Sequence, residues 1–312
     1  MKAVVTGAAG FLGSHLCDSL LADSWSVVGV DAFVDYYPRA VKERALARAC
    51  RQPAFRLVEG ALEDLELAPI LAGADVVFHL AAQAGVRASW GADFARYTSH
   101  NVLATQRLLE SALASGRQRV VYASSSSVYG DSQALPLRED SPCHPISPYG
   151  VTKLAAEHLC RLYHRTHALP VVSLRYFTAY GPRQRPDMAF HRFLSAARDG
   201  QPLRLFGDGE QTRDFTYVDD VIAATRAAAA GGQPGAVYNV GGGERVRLNA
   251  VVELIQEVTG RTLAVERGPA QAGDMRDTFA DTTAAARDLG FKSRVPLGEG
   301  LAREWAWLKE SA

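Results

Sequence analysis

The sequence predicts an α/β protein built on a doubly wound parallel sheet, with a smaller C-terminal α/β lobe that takes the substrate. Three observations carry this. Short β-branched apolar runs alternate with longer amphipathic segments through the first half of the chain, the pattern of βαβ units joined by right-handed crossovers. These runs are apolar on both faces, as in strands covered by helices on each side. After about residue 175 the rhythm breaks into YFTAYGPRQRPDMA, rich in Gly, Pro, Arg and aromatic residues, which reads as a loop over a site.

In chain order, the strands of the first half are KAVVTG, SVVGVDA, FRLVEG, DVVFHLAA and RVVYASSS, each bounded by Gly, Ala or Ser. Helices are expected between them at GSHLCDSLLAD, RAVKERALARAC and TQRLLESALASG. The second half offers a helix (FHRFLSAARDG), a strand (PLRLFGDG) and a strand-to-helix unit (RDFTYVDDVIAATRAAAA). The strand VYNVGGG, the helix NAVVELIQEVTG and a last helix from Leu301 to Lys309 complete it. The implied division is a Rossmann-type domain over 1–175 plus about 213–235, and a second lobe over 176–212 and 236–312.

The chain has 312 residues, 47% of them hydrophobic and 22% charged, with 34 basic and 34 acidic side chains. That balance argues against nucleic acid or membrane surfaces as partners. No apolar run approaches the roughly 20 residues of a membrane span, and the N-terminus enters a strand at once, so no signal peptide is expected. Cysteines at 17, 50, 143 and 160 lack C-x-x-C spacing. They read as free thiols of a cytoplasmic protein, with no disulfide framework and no metal site.

TGAAGFLG follows the first strand and opens a helix, with glycines at 7, 10 and 13. Gly7 permits a tight turn, while Gly10 and Gly13 allow close approach of a pyrophosphate and packing of helix on sheet. The helix N-terminus supplies free N–H groups and a positive dipole end. Asp31, eighteen residues after Gly13, can accept from both ribose hydroxyls of NAD and would repel the 2′-phosphate of NADP. Farther on, Tyr149 and Lys153 are four apart and share a helix face. The lysine is expected to lower the phenol's pKa, making the tyrosine a general base for an alcohol while a nicotinamide takes the hydride. A serine from the end of RVVYASSS can relay the same proton. His79 reads as structural.

Together TGAAGFLG, HLAA (79–82), ASSSSVYG (123–130), YGVTK (149–153), LRYFTAYGPRQRPDMA (174–189) and RDFTYVDDV (213–221) resemble the extended short-chain dehydrogenase/reductases. Within these, the chain is most similar to nucleotide-sugar 4-epimerases. The resemblance implies a tightly held NAD, a C-terminal lobe for a nucleoside-diphosphate sugar, and a homodimer. By motif it implies Ser125, Tyr149 and Lys153 as the catalytic residues. Gly7, Gly10, Phe11, Leu12, Gly13, Asp31, Leu62, Leu80, Ala81, Ala82 and Tyr176 would contact NAD, as would Tyr149 and Lys153. Phe206, Arg213 and Arg276 would meet the nucleotide diphosphate, for which arginines are apt donors. The family's usual Gly-Asp after the third strand is Gly-Ala here, so Ala61 removes a carboxylate from adenine, and Glu63 is a neighbour able to replace it.

Related dehydratases and decarboxylases resemble one another in carrying an acid before Val-Tyr-Gly. Here Ser126 and Ser127 stand there, which disfavours both reactions. Thr178, GPRQRPDMA and DYYPRAVKERAL (35–46) resemble the UDP-glucuronic acid 4-epimerases. Ser126, Ser127 and Thr178 can form a hydroxyl cluster around a C6 carboxylate, with Arg185 or Arg192 supplying charge. Arg87, in QAGVRAS, either reaches the substrate or ties its loop down. Epimerisation of UDP-glucuronate to UDP-galacturonate is thus the implied reaction. UDP-glucose or UDP-N-acetylglucosamine epimerisation, UDP-glucuronate decarboxylation and a non-catalytic NAD sensor stand as alternatives.

Overall fold

The computed structural model describes residues 1–116, 118–132 and 134–311. Its strands are β1 (Lys2–Thr6), β2 (Ser26–Asp31), β3 (Phe55–Glu59), β4 (Val76–His79), β5 (Arg119–Ser125), β6 (Val171–Tyr176), β7 (Thr178–Tyr180), β8 (Leu203–Phe206), β9 (Thr212–Tyr217), β10 (Val237–Val240), β11 (Arg245–Arg247) and β12 (Val265–Gly268). The helices are α1 (Phe11–Ala22), α2 (Arg39–Leu46), α3 (Leu67–Leu71), α4 (Phe94–Tyr97), α5 (Ala104–Ala114), α6 (Pro148–His167), α7 (Ala189–Asp199), α8 (Val218–Gly231), α9 (Leu248–Thr259), α10 (Thr283–Leu289) and α11 (Leu297–Glu310).

Seven strands form one sheet in the order β10-β6-β5-β4-β1-β2-β3, every neighbouring pair parallel. Side chains alternate across it. Ala3, Val5, Val27, Phe78, Val121 and Val172 pack with Leu16 and Leu20 of α1 and Ala224 and Ala228 of α8. Val4, Val28, Val77 and Val120 join Leu108 and Leu109 of α5 and Ala156 and Cys160 of α6 in a second cluster. Both faces are therefore dry, which is why these strands read as unbroken apolar runs. The strand order reverses between β1 and β4, and a crevice opens at such a switch point beyond the strands' carboxyl ends.

The smaller lobe has a three-stranded sheet, β11-β9-β7, and the parallel pair β12-β8. Its borders differ from those read from sequence. VYNV pairs with β6 and so completes the large sheet, and does not belong to the C-terminal lobe in which its sequence position places it. β9 lies within the small sheet, between β7 and β11, while α8, which follows it directly, returns to pack on α1. The chain crosses between lobes inside one strand-to-helix unit, where composition does not change. Two further details differ. YFTAYG contains β7 where a loop was expected, and α2 stops at Leu46 before a 3-10 turn at Ala49–Arg51.

Candidate active site

The chain turns sharply out of β1 at Gly7, whose φ of +69° suits glycine. The N–H groups of Gly7 and Ala8 both donate to the carbonyl of Val30, at 2.8 and 3.2 Å. A Cβ on Gly7 would lie 2.8 Å from the Ala81 nitrogen, and one on Gly13 would run into the Gly7 carbonyl. Gly10 caps α1 with no side-chain hydrogen bond, so the first-turn N–H groups remain for an anion. Asp31 strengthens the same turn: Oδ2 accepts from the Ala9 N–H at 2.9 Å and Oδ1 from the Phe33 N–H at 2.8 Å. Burial pushes its carboxyl up, and those two bonds oppose the shift. Each oxygen keeps a second lone pair for a ribose hydroxyl.

From this turn a cleft of about 420 Å³ runs to the ends of β5 and α6. Gly7, Gly10, Phe11, Leu12, Gly13, Asp31, Leu62, Leu80, Ala81, Ala82, Tyr176, Ser125, Tyr149 and Lys153 all line it. A glycine cradle on a helix N-terminus at one end and a tyrosine–lysine pair at the other fit an extended dinucleotide. At the far edge Ala61 and Glu63 also line the cleft, and Glu63 is held by Ser99 at 2.9 Å and His100 at 2.6 Å.

Tyr149 enters on α6 because Ser147 caps that helix, accepting from the Gly150 N–H at 3.1 Å, with Pro148 in the first turn. Gly150 allows the close approach: a Cβ there would sit 2.5 Å from the Ser127 carbonyl. Burial raises the Tyr149 phenol above its ordinary pKa, while a hydrogen bond with Ser125 and the charge of Arg185 pull it down. The net shift therefore runs opposite to the lowering expected beside Lys153. Lys153 instead lies with Nζ 4.4 Å from the Tyr122 ring centroid. Burial depresses its own pKa to about 7, against the pull of Cys160 and Glu157. His79 bridges Thr6 and Thr105 at 2.8 and 2.9 Å and is structural, as expected. Asn101 ties the 83–89 loop to α6, accepting from the Gln83 N–H at 2.7 Å and donating to Thr152 at 2.9 Å.

Ser126, Ser127, Thr178 and Arg185 line the same cleft beside Tyr149. The segment carrying Arg185 is fastened to α1: Arg183 pairs with Asp18 at 2.7 Å, and His15 Nε2 donates to the Pro182 carbonyl at 2.8 Å. The remaining candidates form a separate group around Phe206, which Arg87 reaches from the 83–89 loop of the large domain. Arg87 and Arg192 lie 4.4 and 5.6 Å from the Phe206 ring centroid. Arg87 also pairs with Asp274 at 2.6 Å, which fastens its loop. Arg213 Nη1 donates to the carbonyls of Thr212 and Arg276 at 2.9 and 3.1 Å. Arg276 is exposed and forked onto Asp208 at 2.8 and 3.0 Å. No cluster able to hold a metal occurs among the described residues.

Tyr36, Asp187, Glu157 and Asn101 also shape the site, though their sequence motifs do not mark them. Their chemistry rests on contacts between distant segments, and no spacing signals it.

A model of the NAD-dependent epimerase/dehydratase family matches residues 3–241. An uncharacterised UDP-glucose epimerase of Bacillus subtilis is 44% identical, covering 99% of this chain and 98% of that one. A probable UDP-glucuronate 4-epimerase of Rhizobium meliloti is 35% identical over 100% of this chain and 98% of its own. Among solved structures, the UDP-glucuronic acid 4-epimerase of Bacillus cereus in complex with UDP-glucuronic acid and NAD superposes with a TM-score of 0.97. It is 41% identical, with 100% of each chain covered. Matches of this extent agree with the glycine cradle and the tyrosine–lysine helix: the chain belongs to the NAD-dependent epimerase/dehydratase family.

Proposed function

We propose that the protein interconverts UDP-glucuronate and UDP-galacturonate. One observation carries the choice of sugar: three hydroxyl residues, Ser126, Ser127 and Thr178, and the guanidinium of Arg185 line the same cleft as Tyr149. That is a donor set for a carboxylate, larger than a neutral C6 hydroxyl needs. The similar chains named as UDP-glucuronate 4-epimerases support it.

NAD, when bound, would supply the hydride acceptor and donor for C4 of the sugar. The protein's residues do the rest. Tyr149 Oη takes the proton of the C4 hydroxyl and gives it back, with Ser125 positioning or relaying it. Lys153 holds the nicotinamide ribose, and Asp31 the adenosine ribose. The first turn of α1 receives the pyrophosphate, and Leu62, Leu80, Ala81, Ala82 and Tyr176 enclose the rings. Arg213 and Arg276 receive the sugar nucleotide's diphosphate and Phe206 its base, with Arg87 and Arg192 alongside. Arg276 must exchange Asp208 for phosphate, a low barrier for an exposed pair.

The sheet β1–β6 with β10 is the NAD domain in this reading, and the lobe built on β7–β9, β11 and β12 holds the nucleotide sugar. Exposed Phe94, Leu103, Ile146, Val151 and Leu162 lie along the adjoining segments 94–103 and 146–162, and support a homodimer through α4, the 98–103 turn and α6. Four free cysteines support a cytoplasmic location. Among the described residues, no helix is long and apolar enough to cross a membrane.

The test is incubation of purified protein with UDP-glucuronate, without added NAD, and chromatography of the products. UDP-galacturonate is expected. UDP-xylose as the main product would make it a decarboxylase, and turnover of UDP-glucose alone would make it a neutral-sugar epimerase.

A further inference from the structure

A guanidinium is a planar fork with more than one edge able to grip a carboxylate. One edge of Arg185 is already taken: Nε and Nη2 donate to Oδ1 and Oδ2 of Asp187, both at 2.9 Å. Nη1 stands outside that pair, and the side chain lines the cleft with Ser126, Ser127, Thr178 and Tyr149. The pair is also held from the NAD domain. Tyr36 Oη donates to Asp187 Oδ2 at 3.3 Å, and the Arg185 guanidinium lies 5.8 Å from the Tyr36 ring centroid. Tyr36 in turn packs on Gly85, where φ is +108° and an added Cβ would strike its hydroxyl. Tyr97 Oη bonds the carbonyls of Ala84 and Gly85 at 3.0 and 2.7 Å. Three segments distant in sequence therefore meet at one ion pair on the cleft wall.

We infer that Asp187 is a positioning residue for epimerisation: by gripping the Nε–Nη2 edge it presents the free side of Arg185 to the sugar's C6 carboxylate in one fixed orientation. The inference rests on the glucuronate reading. Oxidised at C4 by the bound nicotinamide dinucleotide, the sugar is a β-keto acid. If its C5–C6 bond stands perpendicular to the carbonyl plane, that bond breaks and carbon dioxide leaves. The electron pair enters the C4–C5 enolate, C5 is protonated, and hydride return to C4 yields a UDP-pentose. Held near the plane, the bond lacks overlap with the ketone and survives. A guanidinium free to swing attracts the carboxylate without fixing that angle. Asp187 thus contributes orientation, not affinity; its own negative charge opposes the substrate's.

The test is the ratio of UDP-pentose to UDP-galacturonate formed from UDP-glucuronate, measured with KM and kcat for wild type, Asp187→Ala, Asp187→Asn and Tyr36→Phe. Asp187→Ala is expected to raise the ratio about tenfold or more, the scale on which small misplacements act, with KM unchanged or lower. Asp187→Asn keeps the shape and one acceptor and recovers most of the wild-type ratio. Tyr36→Phe gives a smaller rise and decides the matter if Asp187→Ala does not fold. Wild-type ratios in the folded variants overturn the inference alone. A wild-type protein that leaves UDP-glucuronate unchanged overturns the functional reading and this inference with it.

Discussion

Glu157 and Arg175 make the sharpest test of how the site is braced. Arg175 on β6 donates from Nη2 and Nε to the two oxygens of Glu157, at 2.6 and 3.0 Å. Ser124, next to Ser125, donates to the same carboxylate at 2.6 Å, and Glu157 lies one helical turn beyond Lys153. Arg175 Nη1 reaches Tyr129 at 2.8 Å and the Glu139 carbonyl at 3.1 Å. Side-chain exposure is 4% for the arginine and 1% for the glutamate. Glu157→Leu would strand a charged guanidinium in this interior, at a cost of about 3–5 kcal/mol. For 312 residues at about 2.1 cal/mol/K each, the unfolding entropy is about 0.65 kcal/mol/K, so Tm should fall by about 5–8 °C. Thermal melts followed by circular dichroism measure it. Glu157→Leu with Arg175→Met removes both charges and should regain most of the loss. A single variant losing under about 1 kcal/mol, or a double variant no better than the single, would refute the reasoning.

Acid should destabilise the fold through its buried histidines. Burial lowers His79 to about 3 and His15 to about 4, with Lys153 and Arg183 adding to the respective shifts. Because the unfolded chain takes up those protons from about pH 6.5 downward and the folded one does not, the stability is present above pH 6.5. It is lost as pH falls toward the folded values, at about 1.4 kcal/mol per pH unit for each histidine. His79→Gln should remove this residue's share, so that Tm falls less steeply between pH 6.5 and 5. Tyr149→Phe should lower kcat by about 10²–10⁴ while retaining the rise in Tm that NAD gives to protein stripped of its cofactor. Gly13→Ala forces a methyl onto the Gly7 carbonyl and should cost about 1–3 kcal/mol. It should also abolish the NAD-dependent rise in Tm; an unchanged rise would show that the cradle tolerates a side chain.

The large sheet was legible because burial on both faces writes itself into sequence as apolar runs, and the glycine turn because backbone crowding at Gly7 and Gly13 admits no Cβ. Helix periodicity put Tyr149 and Lys153 on one face. Their titration was not legible: burial raises the Tyr149 phenol and lowers Lys153, and that burial comes from tertiary packing. Domain borders escaped because VYNV completes the large sheet by pairing with β6, a partner more than sixty residues away. Asp187 and Tyr36 carried no signal either. Two short motifs containing them mark a resemblance, but 151 residues separate the hydrogen-bonded pair, and local pattern does not encode that meeting.

In the proposed function, the fastening of 182–183 onto α1, through Arg183 to Asp18 and His15 to the Pro182 carbonyl, ties the segment that meets the sugar's acid group to the helix that meets the cofactor's phosphates. The two grips are set on one frame. On that reading a sugar tethered by its diphosphate turns between two grips that share one frame, showing first one face and then the other to the same hydride.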